Sequence, residues 1–135
     1  VNASKSNLKI AWVPDSGFHL RKAGVQFDAV RVDGEDGRRL ARRMEEIIVG
    51  EPGPMVAEAS GRRGVYFLVP PGSTAHRPWP REVTTFNSET GRISYVPVPA
   101  LEGRTWPLLW RNPPTSPGRF VHTLILFNAA YDLFR

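Results

Sequence analysis

Apolar residues fall along this chain in short runs broken by glycine and proline, with two longer stretches at helical spacing. Residues 10–13 form a brief apolar run closed by the turn cluster Pro14-Asp15-Ser16-Gly17. Across 25–32, apolar side chains stand at Val25, Phe27, Val30 and Val32. The register change between Phe27 and Val30 predicts a strand that carries a bulge, or one buried on both faces near its middle. Asp33-Gly34-Glu35-Asp36 then opens a helix over 36–49. Asp33 or Asp36 supplies its cap, the acidic cluster suits the positive end of its dipole, and Leu40, Met44, Ile47 and Ile48 share one face. Gly50-Glu51-Pro52-Gly53-Pro54 ends it.

Residues 55–58 and 64–69 read as strands joined by the turn Ser60-Gly61-Arg62-Arg63, a hairpin. Two further candidates, 83–86 and 93–98, are joined through 87–91 as a second hairpin. Residues 101–118 read as loop, around the apolar Trp106-Pro107-Leu108-Leu109-Trp110. A helical pattern follows at Val121, Leu124, Ile125, Ala129 and Leu133, and Ser116 and Pro117 place the start of that helix near 117. The series predicts a disordered lead-in at 1–7 and one α+β domain over 8–135. Its antiparallel or mixed sheet, of about four to six strands, is flanked by the two helices.

Composition narrows the function classes. The 135 residues, 41% hydrophobic and 23% charged, suit a folded domain with a buried core. The absence of cysteine excludes a disulfide scaffold, a thiolate zinc site and a cysteine nucleophile. No stretch approaches the ~20 apolar residues of a membrane span, and the polar first residues do not read as a signal peptide. A cytoplasmic protein with no membrane partner is the expectation. The formal charge of +5 is carried almost wholly by arginine. That balance favours an anionic partner such as nucleic acid, although arginine also accumulates through codon bias.

Two stretches together resemble the bifunctional primase/polymerase (Prim-Pol) N-terminal domain. Val30-Arg31-Val32-Asp33-Gly34-Glu35-Asp36-Gly37 before an amphipathic helix looks like that family's first signature, a strand ending in Asp-x-Asp-Gly whose aspartates bind catalytic metal. Ser60-Gly61-Arg62-Arg63-Gly64-Val65-Tyr66-Phe67 is similar to the second, Ser-Gly-Gly-x-His-hydrophobic-Tyr-Phe, which presents a histidine to the nucleotide phosphates. The stretch from Gly91 to Pro99, followed by Trp106 and Trp110, is vaguely similar to a third segment. The order matches over roughly residues 25–100. The chain also looks like a group of small stand-alone actinobacterial proteins that share Phe-Asp-x-Val, Gly-Pro-x-Val and Phe-x-Val-Pro-Pro-Gly, here at Phe27, Gly53 and Phe67. These are often labelled primase/polymerase-like, and a DNA-replication setting is what the resemblance implies.

The departures fall on the chemistry. Phosphoryl transfer of this kind needs carboxylates converging on hydrated magnesium. Arg31 stands at the first aspartate position and Gly64 at the histidine position; only Asp33 remains. Asp28, Arg31 and Asp33 therefore read as vestigial active-site positions, with no metal, no cofactor and no catalytic residue expected. For Asp28, isolated in a strand, the favoured reading is a structural ion pair with Arg31 or a neighbouring arginine. His19, His76 and His122 lack metal-binding spacing, and His122 reads as a surface or packing histidine. Arg38, Arg42, Arg62 and Arg63, with Trp110 as a stacking group, are the candidate nucleic-acid contacts. The helix arginines Arg38, Arg39, Arg42 and Arg43 also fit a solvated helix face paired with Glu45 and Glu46. Two functions stay open: a non-catalytic nucleic-acid-binding module, and a protein-interaction or regulatory module, self-associating or covered by another protein at 100–118.

Overall fold

The computed structural model describes residues 9–89 and 92–135, so the lead-in at 1–7 lies outside the described residues. In chain order the elements are β1 (Phe18–Lys22), β2 (Asp28–Val32), α1 (Gly34–Ile47), β3 (Met55–Glu58), β4 (Val65–Val69), β5 (Val83–Phe86), β6 (Tyr95–Pro99), β7 (Leu108–Asn112) and α2 (Thr123–Phe134). The fold is α+β. Five strands form an antiparallel sheet in the order β5-β2-β4-β3-β7, and β1 and β6 form a separate two-stranded ribbon.

The central strands explain the layering. β4 reads Val-Tyr-Phe-Leu-Val, every residue buried. A strand with no polar face must be covered on both sides. Val65, Phe67 and Val69, with Val30 and Val32 of β2, pack against Leu40, Ala41 and Met44 of α1 and Leu126, Ala129 and Ala130 of α2. Tyr66 and Leu68, with Ala29 and Val56, meet Val96 and Val98 of the ribbon. Trp12 completes that second layer, its ring 5.1 Å from Phe27 and 5.9 Å from Phe120. Both helices thus lie on one face of the sheet and the ribbon lies on the other.

The 55–69 hairpin stands where the pattern puts it, with β3 and β4 antiparallel, and the first helix, expected over 36–49, runs two residues earlier at each end. The strand expected over 25–32 covers 28–32 and is buried on both faces. Several expectations are corrected. Residues 83–86 and 93–98 do not form a hairpin: β5 pairs with β2, and β6 pairs with β1. Val96 and Val98 are needed over the second face of the sheet, so the connection crosses between layers instead of turning back. β1 was not expected because its solvent-facing residues give no apolar run. β7 lies inside the stretch read as loop, between Pro107 and Pro113. The second helix begins at Thr123, where the His122 ring accepts a hydrogen bond from the Ile125 amide, and not near Ser116 and Pro117. His122 is therefore a cap. Ile47, expected on the buried face of α1, is exposed, while Ile48 just beyond the helix packs on the core.

Gly37 sits in the first turn of α1, which lies hard against the end of β2: a Cβ there would stand 2.2 Å from the Val32 carbonyl oxygen. Alanine at an interior helical glycine is ordinarily favourable. Here the obstructing atom is backbone, so Gly37→Ala should destabilise the protein by about 2–3 kcal/mol in urea unfolding. An unchanged or raised midpoint would show that helix and strand can separate at no cost.

Candidate functional site

The end of β2, the end of β3, the start of β4 and the first turn of α1 converge at one end of the sheet. Arg31 lies at their centre on the ribbon-side face, opposite Tyr66 of β4 and Thr84 of β5 in the strand register. Its Nη2 donates to Glu58 Oε1 at 2.7 Å and its Nη1 to Glu58 Oε2 at 3.0 Å, a two-pronged pair. Nε donates to Asp33 Oδ1 at 2.7 Å, and Nη1 also reaches the Tyr66 hydroxyl at 2.6 Å. The Arg31 side chain is only 16% exposed. Burial works against its charge, but the hydrogen bonds it donates to Asp33 and Glu58 outweigh burial and hold the guanidinium more firmly protonated than usual.

Gly64 completes this site. Its amide donates to Glu58 Oε1 at 3.0 Å. A Cβ at residue 64 would lie 3.0 Å from both Nε and Nη2 of Arg31. A freely swinging side chain could yield, but this guanidinium is fixed by two carboxylates and a phenol. Arg31 and Gly64, read separately in the sequence, are thus sterically matched: the large cation fits because its neighbour has no side chain.

Asp33 occupies the N-cap position of α1 without bonding the helix amides. Its carboxylate is engaged instead by Arg31 and, at 3.4 Å, by Arg62. Burial is the largest single influence and opposes ionisation, yet the Arg31 and Arg62 guanidiniums together outweigh it and lower the pKa overall.

Asp28 is placed differently from its favoured reading. It is fully buried and makes no ion pair among the described residues; its Oδ2 accepts from the Thr74 hydroxyl at 2.7 Å and the Thr74 amide at 3.2 Å. Asn87 Nδ2 in turn donates to the Thr74 hydroxyl at 2.9 Å. The physical reason is the pleat: Arg31, three residues on, is drawn to Glu58 at the other end of the strand. A neutral hydroxyl–amide network replaces the expected arginine, leaving Asp28 Oδ1 buried without a partner among the described residues.

The four candidate arginines do come together around the start of α1. Arg38 donates to Glu35 at 2.6 Å and to the Arg63 carbonyl at 3.4 Å. Glu35 also feels the charges of Arg42 and Arg63, and the Arg38 bond and charge chiefly lower its pKa. Arg62 is 79% exposed. Five guanidiniums (Arg31, Arg38, Arg42, Arg62, Arg63) share this end with Asp33, Glu35 and Glu58, a local excess of two positive charges. Arg39 and Arg43 are paired with Asp36 and Glu46 as on a solvated helix face. Glu45, expected to pair along the helix, instead holds Arg111 of β7 at 2.7 and 2.9 Å. Trp110 is apart from the arginines, packed in the ribbon-side core with its Nε1 donating to the Pro99 carbonyl.

Glu58, Tyr66 and the Glu45–Arg111 bridge were not among the residues singled out from sequence. All depend on strand pairing over long separations; the local signals were the glutamate closing one arm of the hairpin and the Tyr-Phe of the other. Compared with protein-family models, curated proteins and solved structures, the chain matches none.

Two expectations follow from this geometry. Gly64→Ala should destabilise the wild type more than it destabilises an Arg31→Ser background, with an interaction energy on the order of 1 kcal/mol in a double-mutant cycle. Equal costs in both backgrounds would mean that the guanidinium gives way. Glu45 has its pKa lowered chiefly by the Arg111 hydrogen bond, against some burial. A lowered folded-state pKa stabilises the protein above the unfolded value of 4.5 and that contribution is lost as pH falls through the folded value. Thermal midpoints should therefore drop with acidification below about pH 5, and less steeply in Glu45→Gln.

Proposed function

We propose that this chain is a non-catalytic, primase/polymerase-like domain that binds nucleic acid through its phosphates, using Arg38, Arg42, Arg62 and Arg63. The observation that carries the reading is the convergence of these arginines on the first turn of α1 and the 60–63 turn, in excess over the carboxylates beside them. The non-catalytic part rests on Arg31. Its guanidinium lies between Asp33 and Glu58, the two carboxylates of this end nearest the strand termini, and would repel a divalent cation approaching either. Phosphate oxygens meet the opposite situation, since exposed guanidiniums bind them in forked geometry.

With so small a local excess, affinity should be modest and strongly salt-dependent, with little sequence preference. Replacing Arg62 and Arg63 together by alanine should weaken binding of single-stranded DNA about tenfold or more. It should also lower the slope against log salt by up to about two units. Replacing Trp110 should lower stability more than it changes that slope, because the ring is packed. No binding by the wild type at low salt, or an unchanged double mutant, would refute the reading. A protein-interaction function draws its own support from Trp106, which is 72% exposed in the 100–118 segment. Mass in solution separates the two: a complex formed only with DNA supports the first, a dimer without DNA the second.

A further inference from the structure

The ribbon has two edges, and they are finished differently. The bonds from Ala100 N to Gly17 O and from Ala23 N to Ser94 O, both 2.8 Å, fix the phase of the β1–β6 ladder. In an antiparallel pair the residues exchanging hydrogen bonds alternate. His19 and Arg21 therefore turn their backbone groups toward β6, while Phe18, Leu20 and Lys22 turn theirs outward. On β6 the outward positions are Tyr95, Pro97 and Pro99. Two of these lack an N–H, and the Pro99 carbonyl is taken by Trp110 Nε1. Proline is a common means of closing a strand edge. β1 has no proline, and among the described residues no strand lies beyond it.

The side chains along the open edge are sorted by face. Phe18 and Leu20 stand beside Pro99 and Pro97 on the outer face, with Leu20 61% exposed. His19 and Arg21 lie on the inner face, where, with Lys9, they border a depression of about 500 Å³ whose other side is formed by Val13, Pro14 and Asp15. Two cations and an imidazole thus meet one carboxylate there. A second β1 pairing with this edge would bring like charges together, whereas an acidic strand would be matched.

We propose that β1 is a docking edge for an extended segment of a partner protein whose residues alternate between apolar and acidic. The segment adds to the ribbon as a third strand, its backbone bonded to Phe18, Leu20 and Lys22. Its apolar side chains lie against Phe18 and Leu20, and its carboxylates lie opposite His19 and Arg21. This surface is distinct from the arginine cluster at the start of α1, so it stands whether or not the protein binds nucleic acid.

A short synthetic peptide of alternating valine and glutamate is the probe, with a valine–lysine peptide as control. Titrated into the intact protein, the acidic peptide should bind and slow hydrogen exchange at the Phe18, Leu20 and Lys22 amides, while the already bonded His19 and Arg21 amides change little. Leu20→Pro removes an outward N–H and should weaken binding about tenfold or more. If that variant is poorly folded, Lys9→Glu combined with His19→Glu should weaken it similarly. The proposal is overturned if the acidic peptide fails to bind at roughly millimolar concentration, if the lysine peptide binds as well, or if the protected amides lie elsewhere.

Discussion

The guanidinium of Arg31 is the fastener on which this end of the molecule depends. A charged group with so little exposure survives only if its hydrogen-bonding capacity is met, and Glu58, Asp33 and Tyr66 meet it from β3, the β2–α1 junction and β4. Each partner is thereby committed. Glu58 also takes the Gly64 amide, which fixes the hairpin turn. Asp33 forgoes capping α1, and the start of that helix is tied down instead by the Gly34 amide bonding the Arg62 carbonyl at 2.9 Å. The Arg31 guanidinium also lies 4.9 Å from the centre of the Tyr66 ring, so the charge rests partly on an aromatic face.

That arrangement makes the arginine content of the chain easier to interpret. Arg31 and Arg111 bridge elements far apart in sequence and act as structural groups. Arg39 and Arg43 are balanced along the helix. The formal +5 is therefore not a measure of one basic face. The cluster at the α1 start and the 60–63 turn gathers five guanidiniums, and there the backbone assists: Arg63 adopts a φ of 53°, an uncommon conformation for a side-chain-bearing residue, and its carbonyl receives Arg38.

What the sequence disclosed follows the range of the interactions. The α1 helix, the 55–69 hairpin and the doubly buried centre of 28–32 were legible because spacing and turn chemistry are local. β1 and β7 were hidden because an exposed strand and a proline-bounded one carry weak apolar patterns. The gathering of Arg38, Arg62 and Arg63 was foreseeable from a strand–helix junction meeting a hairpin turn. The fate of Asp28 was not: choosing Thr74 over an arginine depends on which end of β2 faces Glu58, a matter of sheet order. Arg31 and Gly64 were visible as unusual residues, but their steric dependence needed the register of β2 on β4.

The two unusual surfaces have a common origin in the buried centre of the sheet. β4 has no polar face, so the chain must supply a second layer opposite the helices, and the ribbon is that layer. A two-stranded ribbon is marginal by itself; its stability comes from Val96 and Val98 seated on the sheet together with the Trp12 and Phe27 rings. Covering one face leaves a ribbon with two new edges, and the chain finishes only the β6 edge with proline. Meanwhile the ribbon-side face of β2 ends in Arg31, whose charge must be neutralised locally, drawing the carboxylates inward and leaving Arg42, Arg62 and Arg63 toward solvent. An edge with no further strand among the described residues and a cluster with excess positive charge are thus both consequences of a strand buried on both sides.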